Sequence, residues 1–317
     1  MNLLGIDTSN YTTSVAVYST EDKKIIQEKK LLPVKAGERG LRQSDAVFHH
    51  TVQLPERFEA LWQHADLQNV TIDAIGASAF PRRMENSYMP CFLVGSGMAK
   101  SMSFALHIPY FEFSHQEGHV AAALYSANQL SLLQTPFLAF HLSGGTTDAL
   151  LVEPDAQHIL NVTLLKSSLD LKAGQLIDRV GVLLGLQFPC GPAMEKLAFQ
   201  SSKEFSVRPT VKDGNCCLSG IENQCQKLLR ENESPENIAK FCLMNVIVAV
   251  DHMLQSICHS HPNLPIVFSG GVASNAQLQA YFKAKYKAVY FAEPMFSADN
   301  AAGIAVLTAL MKERTGL

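Results

Sequence analysis

Two histidines four residues apart are the residues of this sequence best suited to chemistry. His115 and His119 lie in the run SHQEGH, after the extended apolar run IPYFEF and before the helix-forming run VAAALYSA. Residues four apart share one face of a helix, so both imidazoles could bind one metal ion. The alternative is that they only cap and pack the start of a helix. The spacing alone does not decide between the two.

The acidic residue of this run excludes one familiar chemistry. In the H-E-x-x-H motif of metalloproteases, the glutamate lies where it can act as general base. Here Glu117 is two residues from each histidine and therefore lies on another face of the helix. A hydrolytic role is disfavoured.

A glycine pair marks a candidate phosphate site. Ser143-Gly144-Gly145-Thr146-Thr147 separates two apolar runs. Glycines let the backbone approach a phosphate, their N–H groups can form an anion-binding nest, and the flanking hydroxyls add donors. The alternative is an ordinary Gly-Gly hairpin turn.

Further polar residues could contact the rest of a nucleotide. Asn275 closes the run SGGVASN, which follows a predicted strand and opens a helix. Asp178 lies on an amphipathic helix and could bind ribose hydroxyls, with Gly191 in the same pocket; its alternative is pairing with Arg179 or solvent. Neither G-x-G-x-x-G nor a P-loop is present.

The dipeptide Asp299-Asn300 precedes the last predicted helix. The simplest interpretation of this dipeptide is an N-cap. Its carboxylate could instead complete a metal site that the two histidines begin.

Composition limits the class of protein. The 317 residues carry a net charge of −3, so binding an RNA would need a local basic patch or a second protein. The seven cysteines show no C-x-x-C spacing, which indicates reduced thiols and a cytoplasmic protein. We expect no membrane-spanning segment and no DNA partner.

Two predicted hairpins organise the chain. Residues 2–18 and 137–153 both read as strand, polar turn and strand, which suggests a duplicated α/β lobe. Helices are predicted near 51–65, 91–106, 173–185 and 235–259, and strands at 72–77 and 109–113.

The order of these motifs resembles one family along essentially the whole chain. GIDTS at Gly5–Ser9, SHQEGH, HLSGGTT, LDLKAGQLIDRVGVLLGL, GPAMEKLA, SGGVASNAQL and DNAAGIA at Asp299–Ala305 are similar to the TsaD/Gcp family of tRNA threonylcarbamoyladenosine synthases, formerly called O-sialoglycoprotein endopeptidases. The resemblance implies a two-lobed actin-like, sugar-kinase and Hsp70 ATPase (ASKHA) fold, an α/β fold of duplicated ribonuclease H-like domains with a central cleft. We expect a first lobe over 1–108, completed by a C-terminal helix over 299–317, and a second lobe over 109–298 that holds the metal and nucleotide sites.

The resemblance also implies an activity and its site. The family transfers threonylcarbamoyl from its adenylate to N6 of the tRNA adenosine adjoining the anticodon. His115, His119 and Asp299 would bind one Fe²⁺ or Zn²⁺. Asp178 and Gly191 would contact the ribose and adenosine, and Asn275 the base. The phosphate loop would consist of Leu142, Ser143, Gly144, Gly145 and Thr146. Implied partners are an adenine nucleotide, tRNA, a TsaB-like protein and an ATPase subunit.

Several positions depart from the family pattern. Tyr11 and Thr12 replace two acidic residues in the run DTSNYTT, Thr146 replaces a histidine, and Gln175 replaces a glutamate. The segment FPRRMENSYMP replaces a glycine-rich one. The alternative function is therefore that of a catalytically altered paralogue, which binds nucleotide and metal and acts as a partner or regulator.

Overall fold

A computed structural model describes residues 1–9, 11–33 and 41–317 of the chain. The chain divides into two compact units. The first comprises Met1–Gln134, Pro154–Val162 and Met295–Leu317, and the second comprises Thr135–Glu153 and Thr163–Pro294.

Strands and helices alternate through both units. The strands are β1 (Asn2–Asp7), β2 (Thr12–Ser19), β3 (Ile25–Leu31), β4 (Ala74–Phe80), β5 (Tyr110–Ser114), β6 (Phe137–Leu142), β7 (Thr147–Asp155), β8 (Ile159–Ser167), β9 (Thr210–Lys212), β10 (Asn215–Cys217), β11 (Ile266–Ser269) and β12 (Val289–Phe291). The α-helices are α1 (Gln43–Trp62), α2 (Phe92–Leu106), α3 (His115–Ser126), α4 (Ala173–Leu183), α5 (Gly191–Ala198), α6 (Ser219–Arg230), α7 (Pro235–Cys258), α8 (Ala276–Lys285), α9 (Pro294–Ser297) and α10 (Ala302–Thr315).

The two five-stranded sheets repeat one topology. Their strand orders are β3-β2-β1-β4-β5 and β8-β7-β6-β11-β12. In each, an antiparallel hairpin (β1–β2 or β6–β7) is extended by two parallel strands. Both predicted hairpins and the duplicated α/β fold are confirmed.

Helices cover both faces of the first sheet. Leu4 and Ile6 of β1 pack in one cluster with Leu54 of α1, whereas Leu3 packs in another with Ala305 of α10. A strand buried on both faces needs no polar residue in alternation. This explains the continuous apolar run of β1.

The unit boundary differs from the predicted lobe boundary at residue 108. Residues 109–134 belong to the first unit. The physical reason is that β5 pairs in parallel with β4, for example Ile75 with Tyr110, and α3 follows β5 directly. His115 and His119 are therefore part of the first unit, not of the second lobe.

Two helix starts also differ from prediction. Helix α1 begins at Gln43 rather than near 51, after Arg42, whose side chain makes no capping hydrogen bond and so left no signal in the sequence. Helix α10 begins at Ala302 rather than at Asp299. Within the predicted capping dipeptide, the Asn300 side chain accepts a hydrogen bond from the N–H of Ala302 (3.1 Å), whereas the N-cap residue is Ala301, which makes no side-chain capping bond.

Helix α7 corrects the expectation that no apolar segment reaches membrane-spanning length. Its 24 residues are long and apolar enough to cross a membrane by length and composition. However, 61% of its most apolar window is buried, and Cys242, Val246 and Val250 belong to the core of the second unit. Such burial is typical of a core helix.

Candidate metal and nucleotide sites

A capping box fixes the first turn of α3. The Ser114 hydroxyl accepts from the N–H of Glu117 (3.1 Å), and the Glu117 carboxylate accepts from the N–H of Ser114 (2.6 Å). Two otherwise unpaired donors of the helix end are thus satisfied. His115 and His119 therefore start from a defined backbone.

Glu117 is held by an arginine from the loop after β4. Arg83 donates from Nε to Oε1 (2.8 Å) and from Nη2 to Oε2 (3.1 Å) of this carboxylate, which is only 1% exposed. A bidentate pair of this kind is strong and geometrically specific. Glu117 is therefore structural, in agreement with its predicted place away from the histidine face.

Two glycines let α10 approach α3. A Cβ at Gly303 would lie 1.8 Å from the carbonyl oxygen of Gly118 and 2.7 Å from the amide nitrogen of Ala122. At the start of α10, the N–H of Ala301 donates to the Ser14 hydroxyl of β2 (2.9 Å). The chain just before α10, which carries Asp299, is thereby held beside the histidine face. No local sequence pattern indicates this role of the glycines.

The three predicted metal ligands converge within the first unit. The Asp299 Oδ1 atom lies 3.4 Å from His115 Nε2 and 3.2 Å from His119 Nε2, and all three atoms lie within 4.8 Å of one another. Ligands bound tetrahedrally at about 2.0–2.2 Å would be separated by about 3.3 Å. Two imidazoles and a carboxylate suit Zn²⁺ and non-haem Fe²⁺. The residues present fit such an ion.

Charge around His115 favours a cation. Burial lowers the pKa of His115, but the Asp7 and Asp299 carboxylates outweigh burial and raise this pKa to about 10. Burial raises the pKa of Asp299, but hydrogen bonds from His115 and His119 outweigh it and hold this pKa well below its ordinary value. The site therefore keeps an ionised carboxylate among its ligands.

Asp7 and Ser9 contact the other ring nitrogen of His115. The Nδ1 atom lies 2.7 Å from the Ser9 hydroxyl and 3.1 Å from Asp7 Oδ2. From the sequence, Asp7 and Ser9 belong only to the first predicted hairpin, so this contact was not predicted. The acidic residue at the end of an apolar strand was the available signal, since such strand ends commonly face ligand sites.

The phosphate loop lies between β6 and β7 in the second unit. The N–H of Ser143 donates to the carbonyl of Thr146 (2.8 Å), and the Ser143 hydroxyl accepts from the N–H of Thr146 (3.1 Å). Leu142 is fully buried beneath the loop.

The two glycines of this loop do not form a two-residue hairpin turn. Neither Gly144 nor Gly145 has a positive φ, and a Cβ at either would meet nothing within 4 Å. A two-residue hairpin turn of type I′ needs positive φ at both central residues. Gly144 and Gly145 therefore do not form a two-residue turn of type I′; they lie within the four-residue loop 143–146 that joins β6 to β7, and they leave open space above it.

The ribose-side candidates Asp178 and Gly191 lie together. Asp178 Oδ1 accepts a hydrogen bond from the N–H of Cys190 (2.8 Å), the residue before Gly191. Burial raises the pKa of Asp178, partly offset by this hydrogen bond. Arg179 pairs instead with Glu222 (3.1 Å), so the alternative Asp178–Arg179 pair is wrong. A Cβ at Gly191 would meet nothing within 4 Å.

Asn275 has a structural role in addition to the predicted one. Its Oδ1 caps α8 by accepting from the N–H of Leu278 (2.9 Å), which leaves the amide nitrogen as its donor to a base. The next N–H, of Ala276, donates to Glu195 of α5, the helix that Gly191 begins.

The phosphate loop is hydrogen-bonded to the start of α4. The N–H of Gly174 donates to the Ser143 carbonyl (3.1 Å), and Asp178 follows about one turn later in the same helix. All nucleotide candidates thus surround α4 and α5.

The departures from the family pattern fall at defined places. Tyr11 is 42% exposed, and Thr12 is buried, so the described tip of the first hairpin carries no carboxylate at these positions. Asn10 lies outside the described residues. Gln175 accepts from the N–H of Lys172 (3.3 Å) and so helps to cap α4.

Solved structures share the fold at low sequence identity. The activator of the 2-hydroxyisocaproyl-CoA dehydratase from Clostridium difficile, with bound ADPNP, is 12% identical (TM-score 0.54; 100% of this chain and 97% of that chain covered). HypF from T. kodakarensis is 13% identical (TM-score 0.60; 99% and 48% covered). The ROK hexokinase from Thermus thermophilus is 16% identical (TM-score 0.51; 99% and 99% covered). These likenesses show the ASKHA fold.

The family is shown by sequence. A model of the TsaD family, described as tRNA N6-adenosine threonylcarbamoyltransferase, matches residues 25–306. This range includes all three metal candidates and the whole set of nucleotide candidates. The chain therefore belongs to the TsaD family of tRNA N6-adenosine threonylcarbamoyltransferases.

Proposed function

We propose that this protein transfers threonylcarbamoyl from threonylcarbamoyl-adenylate to N6 of the tRNA adenosine adjoining the anticodon, with one bound Fe²⁺ or Zn²⁺. The observation that carries the proposal is the convergence of His115, His119 and Asp299 within 4.8 Å in a member of the TsaD family. Metal-dependent acyl transfer is the chemistry that this ligand set and an adenylate loop support together.

The reaction exchanges one bond for another. A C–N bond forms between N6 and the carbamoyl carbon, the bond from that carbon to the adenylate phosphate breaks, and N6 loses a proton as AMP leaves. A bound divalent ion would polarise the carbamoyl carbonyl. The N–H groups at Gly144 and Gly145 would bind the phosphate, whose charge grows as AMP departs. Asp178 would accept hydrogen bonds from the ribose hydroxyls, and Asn275 would donate to the base.

A tRNA partner needs a basic surface on a chain of net charge −3. The end of α8 and the segment after it carry Lys283, Lys285 and Lys287 within five residues. Lys285 is bound to the buried Asp251, and Lys283 lies 5.3 Å from the centre of the Phe291 ring. Lys283 and Lys287 are exposed. We propose that these two lysines bind tRNA phosphates.

A second function is favoured by the replaced acids. Tyr11 and Thr12 are uncharged and lie where the family has two acidic residues, at the tip of the first hairpin. If the transfer depends on those two carboxylates, this chain cannot complete it. The chain would then bind nucleotide and metal as a partner or regulator of an active synthase. A TsaB-like protein and an ATPase subunit, in the cytoplasm, are the partners to test for either function.

Replacement of an authentic synthase tests the proposal. The chain is expressed in cells depleted of their own TsaD protein, and threonylcarbamoyladenosine in digested tRNA is measured by mass spectrometry. The variant His115→Ala/His119→Ala is the matched control. Restored nucleoside with wild type but not with the control supports the transferase. No restoration, in cells that contain the folded wild-type protein with bound metal, favours the second function.

A further inference from the structure

We infer that Asp7 and Ser9 are positioning residues for the metal site: together they hold the Nδ1–H of His115 and so present its Nε2 lone pair to the ion. The inference rests on the proposed metal site, and it assigns a role to a motif that the proposed reaction leaves unused. It concerns affinity for the metal and the electronic environment of its ligand, not the transfer step itself.

The position of the Asp7 carboxylate is fixed by the backbone. Asp7 ends β1 and is 1% exposed, and its Oδ1 accepts from the N–H of Ser9 (2.9 Å). That hydrogen bond turns the other oxygen, Oδ2, toward His115 Nδ1 at 3.1 Å. Ser9 is fully buried, with its hydroxyl 2.7 Å from the same nitrogen.

The chemistry of these groups decides which ring nitrogen of His115 is offered to a metal ion. An ionised carboxylate can only accept hydrogen bonds, so its bond with Nδ1 requires that Nδ1 carries a proton. In the metal-free site Nε2 faces the Asp299 carboxylate and carries a proton as well, which a metal ion would replace; because Asp7 holds the proton on Nδ1, the lone pair offered to the ion is the one on Nε2. The Ser9 hydroxyl is a second acceptor for the same N–H. Metal-binding histidines commonly depend on such outer partners for orientation and basicity.

Thr8, between the two residues, has a separate role. Its hydroxyl donates to the carbonyl of Cys91 (2.9 Å) and accepts from the N–H of Gly95 (2.9 Å), which ties the hairpin tip to α2. Thr8 is fully buried. It therefore provides a matched control: Thr8→Val removes two buried hydrogen bonds from the same tip and leaves the Asp7 and Ser9 bonds to His115 in place.

Cobalt binding tests the inference without any assay of transfer. Co²⁺ is titrated into the metal-free full-length protein, its visible absorption spectrum is recorded, and the melting temperature of each variant is measured. Asp7→Asn can present an amide N–H to Nδ1, which moves the ring proton to Nε2. We expect it to weaken Co²⁺ binding about 10- to 100-fold and to change the spectrum, and Ser9→Ala to weaken binding by a smaller factor.

The outcomes separate this inference from the proposed function. Thr8→Val should lower the melting temperature and leave the Co²⁺ affinity within about twofold of wild type. Equal affinities of Asp7→Asn and wild type would overturn the positioning role, as would an equal loss in Thr8→Val. Failure of the wild-type protein itself to bind Co²⁺ would instead overturn the metal site on which the proposed function rests.

Discussion

Gly303 lies so close to Gly118 that a Cβ at Gly303 would stand 1.8 Å from the Gly118 carbonyl oxygen. The contact joins the helix that carries both histidines to the helix that follows Asp299. The atoms that an added Cβ would meet are backbone atoms of α3, so a rotamer change cannot make room for a methyl group at Gly303.

The variant Gly303→Ala should therefore lose both stability and metal affinity. Overpacking of this kind costs about 1–3 kcal/mol of the free energy of unfolding, and separation of α10 from α3 would move Asp299 from the histidines. Urea unfolding and Zn²⁺ titration measure the two effects. Gly97→Ala is the control: this helical glycine is exposed and a Cβ there meets nothing within 4 Å, so it should gain about 0.5–1 kcal/mol. Unaltered stability of Gly303→Ala would contradict the close packing.

Removal of Arg83 should leave a buried charge on Glu117. The Glu117 side chain is 2% exposed, whereas that of Arg83 is 32% exposed, so we expect Arg83→Ala to cost about 2 kcal/mol, less than for a fully buried pair. Arg179→Ala is a matched control, because its pair with Glu222 is 57% and 22% exposed and should contribute less than about 1 kcal/mol. Denaturant unfolding of both variants provides the comparison, and equal losses would refute the structural role of Glu117.

Side chains added to the phosphate loop should weaken nucleotide binding without a loss of stability. The space at Gly145 is open, so Gly145→Val is expected to fold normally and to bind ATP, used as the adenine nucleotide probe, at least about tenfold more weakly. Gly174→Ala is the opposite case, because its Cβ would lie 2.7 Å from the N atom of Gly144, and it should destabilise the fold. Calorimetric titration and thermal melting separate the two results. Normal ATP affinity of Gly145→Val would remove the loop from the proposed site.

The sequence could predict what depends on local pattern. Both hairpins follow from apolar runs flanking polar turns, and the pairing of His115 with His119 follows from helical spacing. The family resemblance, carried by short motifs in order, further indicated Asp299 as a ligand 180 residues beyond His119 in the chain.

Features that depend on tertiary contact could not be predicted. The contact of Gly118 with Gly303, and that of Asp7 with His115, join residues more than 100 positions apart and have no periodic signal. The extent of the first unit could not be predicted for the same reason, since the pairing of β5 with β4 is a tertiary contact that joins 109–134 to it. The roles of Asp299 and Asn300 could not be separated from the sequence, because both side chains can cap a helix, and the structure shows that Asn300 accepts from the N–H of Ala302.

Acid should remove the contribution of Asp170 to stability. Burial raises the pKa of this carboxyl, but hydrogen bonds from Ser219 and from the N–H groups of Leu218 and Leu171 outweigh burial and lower it. A carboxyl whose pKa is lower in the folded than in the unfolded state stabilises the fold above its unfolded pKa of about 3.9, and this contribution is lost as the pH falls through the folded pKa. Because Asp170 is exposed, solvent screening reduces this contribution, so Asp170→Asn should be less stable than wild type at pH 7 by less than about 1 kcal/mol, and the difference should shrink at a pH below the folded pKa. Urea unfolding at both pH values checks this, and a difference that persists unchanged in acid would contradict it.

The lysines after α8 should contribute to tRNA affinity through charge alone. If Lys283 and Lys287 bind phosphates, then Lys283→Ala/Lys287→Ala should weaken tRNA binding and reduce the slope of log affinity against log salt by about 1–2. Lys212→Ala, an exposed lysine on the short strand β9, is the control and should leave the slope near that of wild type. Filter binding or fluorescence anisotropy at several salt concentrations measures the slope. Because the two lysines belong to the second unit and the proposed metal ligands to the first, the double variant should keep the Co²⁺ affinity of wild type. An unchanged salt slope would place the tRNA contact elsewhere on the protein.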